Sequence, residues 1–230
     1  SRDWMAKFPR PRVPSQPSSH GVNAARKIGV IDYGTGNLRS VVKAFEFLGA
    51  EASILTDATR FDQIEALVFP GQGTFDQCMS SLRRSSLDKA IVEWIECGKP
   101  YFGICLGLQA LFERSEEGDQ KGLSLFSGRV RKFTVSDGLK IPHMGWNGVT
   151  WNLPPDDPMR RDLTDGDQFY FVHSYHVENE DGRLSLMKTN YGYPFTSGLS
   201  HENCFATQFH PEKSQAKGLQ IYRNFLEKIP

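Results

Sequence analysis

The 230-residue chain carries 27 Lys+Arg against 27 Asp+Glu, so its formal net charge is zero and nothing pulls it toward a polyanion such as nucleic acid. Hydrophobic residues make up 39% and charged residues 23%, a globular composition, and no apolar run is long enough to span a bilayer. The four cysteines, Cys78, Cys97, Cys105 and Cys204, lack metal-ligand spacing, which predicts no metal site and reduced thiols in a cytoplasmic compartment.

Residues 1–26 differ in composition from the rest. Pro9, Pro11, Pro14 and Pro17 alternate with Arg and Ser, so this stretch reads as a disordered leader or upstream extension. It has no apolar core for a secretory signal, and Trp4 and the prolines spoil the amphipathic helix of a transit peptide. From Lys27 the texture changes. Ile28–Ile31 is a predicted buried strand running into Asp32-Tyr-Gly-Thr-Gly-Asn37, with Asn37 as N-cap of a helix on Leu38, Val41, Val42, Phe45 and Leu48. Gly49 stops it. Ala52–Leu55 and Ala66–Phe69 are further strands, the latter entering Pro70-Gly-Gln-Gly73. Ser81–Cys97 reads as mostly helical, and Tyr101–Ile104 is the strand into Cys105. Alternating strands and helices predict an α/β fold: a three-layer, open, mostly parallel sheet with flanking helices.

The second half is richer in strand. Phe126–Phe133, Gly148–Trp151, Gln168–Val172, Leu184–Lys188 and Phe205–Phe209 carry β-branched and aromatic residues between Gly, Asp and Pro breaks. A closing helix presents Leu219, Tyr222, Phe225, Leu226 and Ile229. No internal linker is evident, so 27–230 reads as one domain.

Open parallel sheets place their sites beyond the carboxyl ends of the strands. Four unusual stretches fall there: Tyr33-Gly-Thr-Gly36, Pro70-Gly-Gln-Gly73, Cys105 and His210-Pro-Glu212. Gly103-Ile-Cys-Leu-Gly107 has the form of a nucleophile elbow with sulfur as nucleophile and a helix start to favour thiolate, although a buried cysteine at an ordinary βα junction shows the same run. His210 and Glu212 sit at i and i+2, on one side of an extended chain, so the carboxylate can orient the imidazole. The amide of Leu106 and the Pro70–Gly73 turn are candidate oxyanion donors, the latter equally readable as a plain tight turn. His173 and His176 read as packed or hydrogen-bonded residues rather than metal ligands. Gly34-Thr-Gly36 lacks the third glycine of a dinucleotide fingerprint, and no phosphate loop is present. No cofactor is expected.

Together these motifs resemble the class I glutamine amidotransferases, a flavodoxin-like fold whose triad runs Cys-His-Glu. Within that class the chain is most similar to the glutaminase subunits of imidazole glycerol phosphate synthase. Ile31-Asp-Tyr-Gly-Thr-Gly-Asn-Leu-Arg39, Pro70–Phe75, Gly103–Gln109, Phe112–Gly118, Pro142-His-Met-Gly-Trp-Asn147, Phe171-Val-His-Ser-Tyr175 and Ala206–Ser214 carry the likeness from Lys27 onward. The resemblance implies Cys105 as nucleophile, His210 as base and Glu212 as its orienter. It implies backbone oxyanion donors at Gln72 and Leu106. Glutamine would be held by Gly71, Gly73, Gln109, Glu117, His173, Ser174 and Tyr175. Glu117 is chemically apt for an α-ammonium. The family turn often has valine where this chain has Gln72, and a peptide flip there completes the oxyanion hole on partner binding. The implied partner is a separate (β/α)8-barrel cyclase that receives the ammonia, met at Arg39, Trp146, Tyr170 and Lys213. The rival readings are a glutaminase subunit for anthranilate, aminodeoxychorismate or pyridoxal phosphate synthesis, and a catalytically silent regulatory subunit on the same fold.

Overall fold

The computed structural model describes residues 25–34, 38–134 and 138–230. The leader up to residue 24, the predicted cap Asn37 and the Thr35-Gly36 part of the first turn lie outside the described residues.

Lys27–Ile31 (β1), Glu51–Leu55 (β2), Ala66–Gly71 (β3), Tyr101–Cys105 (β4) and Cys204–Thr207 (β12) form a parallel array in the order β2-β1-β3-β4-β12. This is the flavodoxin-like arrangement. The strands are apolar on both sides because both faces are covered. On β3, Ala66 and Val68 pack with helix α1 (Leu38–Phe47) and helix α5 (Gln215–Lys228), through Val41, Phe45, Ile221, Tyr222 and Phe225. Leu67 and Phe69 point the other way, onto α2 (Phe75–Arg84) and α3 (Leu87–Glu96), through Phe75, Met79, Leu82, Ile91 and Trp94. Helices on opposite faces give the three layers that the alternation of elements predicted.

The stretch read as mostly helical, Ser81–Cys97, spans the end of one helix and the whole of a second. The first starts earlier, where the Thr74 hydroxyl accepts from the Gln77 N–H. It ends where the Ser85 hydroxyl donates back to the carbonyls of Ser81 and Leu82, and Ser86 turns left-handed at φ 58°. Serine's competition for backbone acceptors breaks the run. The second helix buries Leu87, Ile91, Trp94 and Ile95 along one face.

Beyond β12 the sheet continues antiparallel through Pro194–His201 (β11), Ser185–Asn190 (β10), His143–Trp151 (β7) and Asp167–His173 (β8). A side branch joins Arg114–Ser115 (β5), Gly128–Lys132 (β6) and Tyr175–Asn179 (β9), with β9 also bridging to β11. The sequence reading lacks β5, β9 and β11. Strand β11 is rich in Ser, Thr and Gly, turn-like by composition, yet six of its residues are buried between neighbours. Tertiary pairing outweighs weak strand propensity there. No helix among the described residues is long and apolar enough to cross a membrane.

Candidate active site

Strand β4 ends at Cys105, which has φ 56° and ψ −103°, a strained geometry for a residue with a side chain. Two close approaches enforce it. A Cβ on Gly107 would lie 1.9 Å from the Phe69 carbonyl oxygen, and one on Gly103 would lie 2.4 Å from the Gly107 carbonyl oxygen. Only glycine lets the outgoing chain fold back over β3 and β4, so Gly-x-Cys-x-Gly is a steric requirement of this turn. The helix that follows, Leu106–Gln109 (α4), is a single turn. The helix-start argument for a thiolate therefore loses most of its force, because a macrodipole accumulates with aligned peptides. The cationic partner in reach is His210, on which Cys105 acts both by charge and by hydrogen bond.

His210 follows β12, and its N–H donates to the Tyr170 carbonyl on β8 at 2.9 Å. Its Nδ1 lies 2.7 Å from Glu212 Oε1, and both side chains are buried. Burial alone would push the imidazole down; the Glu212 carboxylate and the Cys105 sulfur outweigh it and raise His210 to about 10. Burial pushes Glu212 up, but the His210 charge and hydrogen bond win and hold it below its usual value. Tyr222 Oη, at 3.5 Å from the second carboxylate oxygen, backs the pair from α5.

A cavity of about 350 Å3 opens over Cys105, lined also by Gln72, Gly73, Leu106, Gln109, Glu117, His173, Ser174, Tyr175, His210 and Lys213. Glu212 stands behind His210, and Gly71 ends β3 in register with Cys105. The structure thus brings the expected triad, turn and glutamine-binding residues to one place. Glu117 is half-buried; burial pushes its carboxyl up, the Phe75 N–H at 2.7 Å counters, and Asp76 adds to the rise. An anion so placed favours a cation entering the cavity.

Two details depart from a ready oxyanion site. Tyr33 Oη accepts from the Gln72 N–H at 2.7 Å and donates to the Gln72 carbonyl at 2.6 Å, so one hydroxyl clasps the two peptide groups on either side of the Gln72 Cα. The Gln72 N–H must leave Tyr33 before it can serve an oxyanion. The Gln109 amide nitrogen donates to the Tyr175 carbonyl at 3.1 Å and to Gln208 Oε1 at 2.9 Å, so any contact of Gln109 with a substrate falls to its oxygen. Sequence reasoning gave neither Tyr33 nor Gln208 a role.

Of the interface expectations, three residues meet. The Trp146 and Tyr170 rings lie 6.1 Å apart, edge to face, and Lys213 Nζ sits 5.8 Å from the Tyr170 ring. Trp146 and Met144 are exposed by 47% and 61%, an apolar patch beside the triad loop. Arg39 is exposed on α1, outside this group. His143, His173 and His176 pack around Phe133, and no His/Cys/Asp/Glu group among the described residues could hold a metal ion.

The family model for class-I glutamine amidotransferases matches residues 29–229. The chain belongs to this family. This amidotransferase chain is 45% identical over 208 residues to the imidazole glycerol phosphate synthase subunit HisH of Chromobacterium violaceum, covering 87% of the chain and 97% of that protein. It is 46% identical over 207 residues to the protein of the same name from Thermosynechococcus vestitus, covering 90% and 99%. Among solved structures, PurLQS from Thermotoga maritima matches with a TM-score of 0.71 at 20% identity, covering 90% of this chain and 100% of that one. At that identity the likeness shows the amidotransferase fold alone.

Proposed function

We propose that this chain is the glutaminase subunit of an imidazole glycerol phosphate synthase in histidine biosynthesis. It hydrolyses L-glutamine and passes the ammonia to a separate (β/α)8-barrel cyclase. The observation that carries the chemistry is a buried His210–Glu212 pair beside a strained Cys105, at the floor of a cavity with an anionic group, Glu117, at its side. The pathway rests on similarity across nearly the full length of relatives that bear that name.

Cys105 thiolate attacks the substrate's side-chain amide. His210, held by Glu212, protonates the departing ammonia and then activates water to release glutamate from the thioester. The N–H groups of Leu106 and, once released from Tyr33, Gln72 face the developing oxyanion. Glu117 takes the α-ammonium, and Gly71, Gly73, Gln109, His173, Ser174 and Tyr175 complete the glutamine site. The exposed Trp146 patch, with Tyr170, Lys213 and Arg39, meets the cyclase. Tyr170 links that patch to the triad, because its carbonyl accepts from His210 N and its N–H donates to the Ser214 hydroxyl, which donates to the His210 carbonyl. We assign 27–230 as the catalytic domain and 1–26 as an extension outside it; the family match over 29–229 supports that boundary. Arg26, just before that boundary, is tied to the domain through Glu65. Four free cysteines support a cytoplasmic setting.

The test is coexpression with a barrel cyclase and measurement of glutamate release with and without the cyclase's nucleotide substrate. Stimulation is expected; its absence assigns the chain to a different synthase.

A further inference from the structure

The fully buried Gln208 belongs to none of the roles above, yet its amide nitrogen lies 3.4 Å from Cys105 Sγ. An amide side chain can turn either way, so the first question is which end faces the sulfur. A backbone carbonyl answers it. Tyr175 O can only accept, so the group that Gln109 turns toward it at 3.1 Å is its NH2. That same nitrogen is 2.9 Å from Gln208 and cannot accept, so Gln208 presents its oxygen there. The Gln208 NH2 is thereby directed at sulfur.

The second acceptor position of Tyr175 O is filled by His173 Nδ1 at 2.7 Å. His173 Nε2 is then an acceptor and takes the proton of His143 Nδ1 at 3.0 Å. His143 Nε2 in turn accepts from Asn147 Nδ2 at 3.2 Å. Both rings are kept neutral by burial, which fixes these tautomers. The line runs unbroken from Asn147, next to the exposed Trp146, to the nucleophile.

We propose that Gln208 is a further catalytic residue of this site, a hydrogen-bond donor to the Cys105 thiolate, aimed by the line Asn147–His143–His173–Tyr175 carbonyl–Gln109. A neutral donor stabilises the anionic sulfur over the thiol without adding charge to the cavity. Gln109 and the two histidines act through Gln208 as positioning residues. The inference rests on Cys105 being the nucleophile.

The test is the pH dependence of Cys105 alkylation by iodoacetamide, read on the Cys105 peptide by mass spectrometry, because the exposed Cys97 reacts as well. Gln208→Met keeps the volume and removes the donor. Its alkylation midpoint should move up by about one pH unit, a roughly tenfold slower reaction below the midpoint. Gln208→Glu keeps an oxygen for Gln109 and turns an acceptor toward sulfur, so it should move the midpoint in the same direction even if the methionine variant folds poorly. A residue that only packs would alter thermal stability and leave the midpoint in place. An unchanged midpoint in a folded variant overturns the proposal. Cys105→Ala separates the two readings: an inactive Cys105→Ala with an unmoved midpoint in the Gln208 variants overturns the donor alone, whereas full glutaminase activity in Cys105→Ala overturns the nucleophile.

Discussion

Replacing Tyr33 with phenylalanine isolates the clasp on the turn at Gln72, where one hydroxyl holds the N–H and the carbonyl of the residue. The substitution removes one oxygen and keeps the ring, whose edge-to-face packing on Phe69 has a centroid distance of 5.6 Å. Two hydrogen bonds, at 2.6 and 2.7 Å, are lost together. At about 0.5–1.5 kcal/mol net for each, the clasped orientation loses roughly 1–3 kcal/mol, or about a 5- to 150-fold change in the balance between clasped and released turn. If release of the Gln72 N–H limits oxyanion stabilisation, glutamate release by the chain alone should rise toward that range, with KM nearly unchanged. The gain should shrink when a partner already holds the turn open. The assay is steady-state glutamate production with and without cyclase, beside a thermal melt to confirm folding. A folded variant with an unchanged or lower basal rate would refute the clasp as the restraint.

Three further outcomes follow from the site. Glu117→Gln removes the anion expected to meet the α-ammonium, so KM for glutamine should rise about 10- to 100-fold with a smaller effect on kcat, checked by saturation kinetics. Glu212→Gln leaves His210 without its charge partner and free to take the wrong tautomer, so kcat should fall by about 100-fold or more at unchanged KM. Stability should fall as pH drops below 6.5. His143, pushed down to about 4, and His173, held well below its usual value, are neutral in the fold but protonate in the unfolded chain. Their contribution is complete above 6.5 and is lost as pH falls toward the folded values, at up to about 1.4 kcal/mol per pH unit for the fully buried His173. His210, raised to about 10, is protonated in both states over that window and does not offset the loss. Urea melts at pH 7 and pH 5 measure it.

Local chemistry made much of this site legible. Gly103 and Gly107 flank the nucleophile for reasons of backbone crowding. His210 and Glu212 do meet, but across a 3-10 turn over Pro211–Lys213 rather than along the extended chain that the i, i+2 spacing suggested. The parallel half of the sheet followed from its βα alternation. Features that depend on distant pairings were not legible. Tyr33 meets Gln72 across 39 positions, and Gln208 meets Cys105 across 103. Strand β11 looks like a turn-rich loop until its neighbours bury it. The one-turn length of α4 was likewise hidden, because Leu108, Leu111 and Phe112 keep helical spacing while the chain after Gln109 bonds instead to the 122–126 segment through Leu123 N to Ala110 O and Leu125 N to Leu111 O.

Glutamyl transfer to Cys105 is the step on which the account stands. Acid quench of the enzyme during turnover of glutamine, followed by peptide mass spectrometry, reads it directly. A γ-glutamyl thioester on the Cys105 peptide, absent together with all glutamate release in Cys105→Ala, is the predicted result. Undiminished glutamate release by Cys105→Ala, or an adduct carried by another residue, would contradict it.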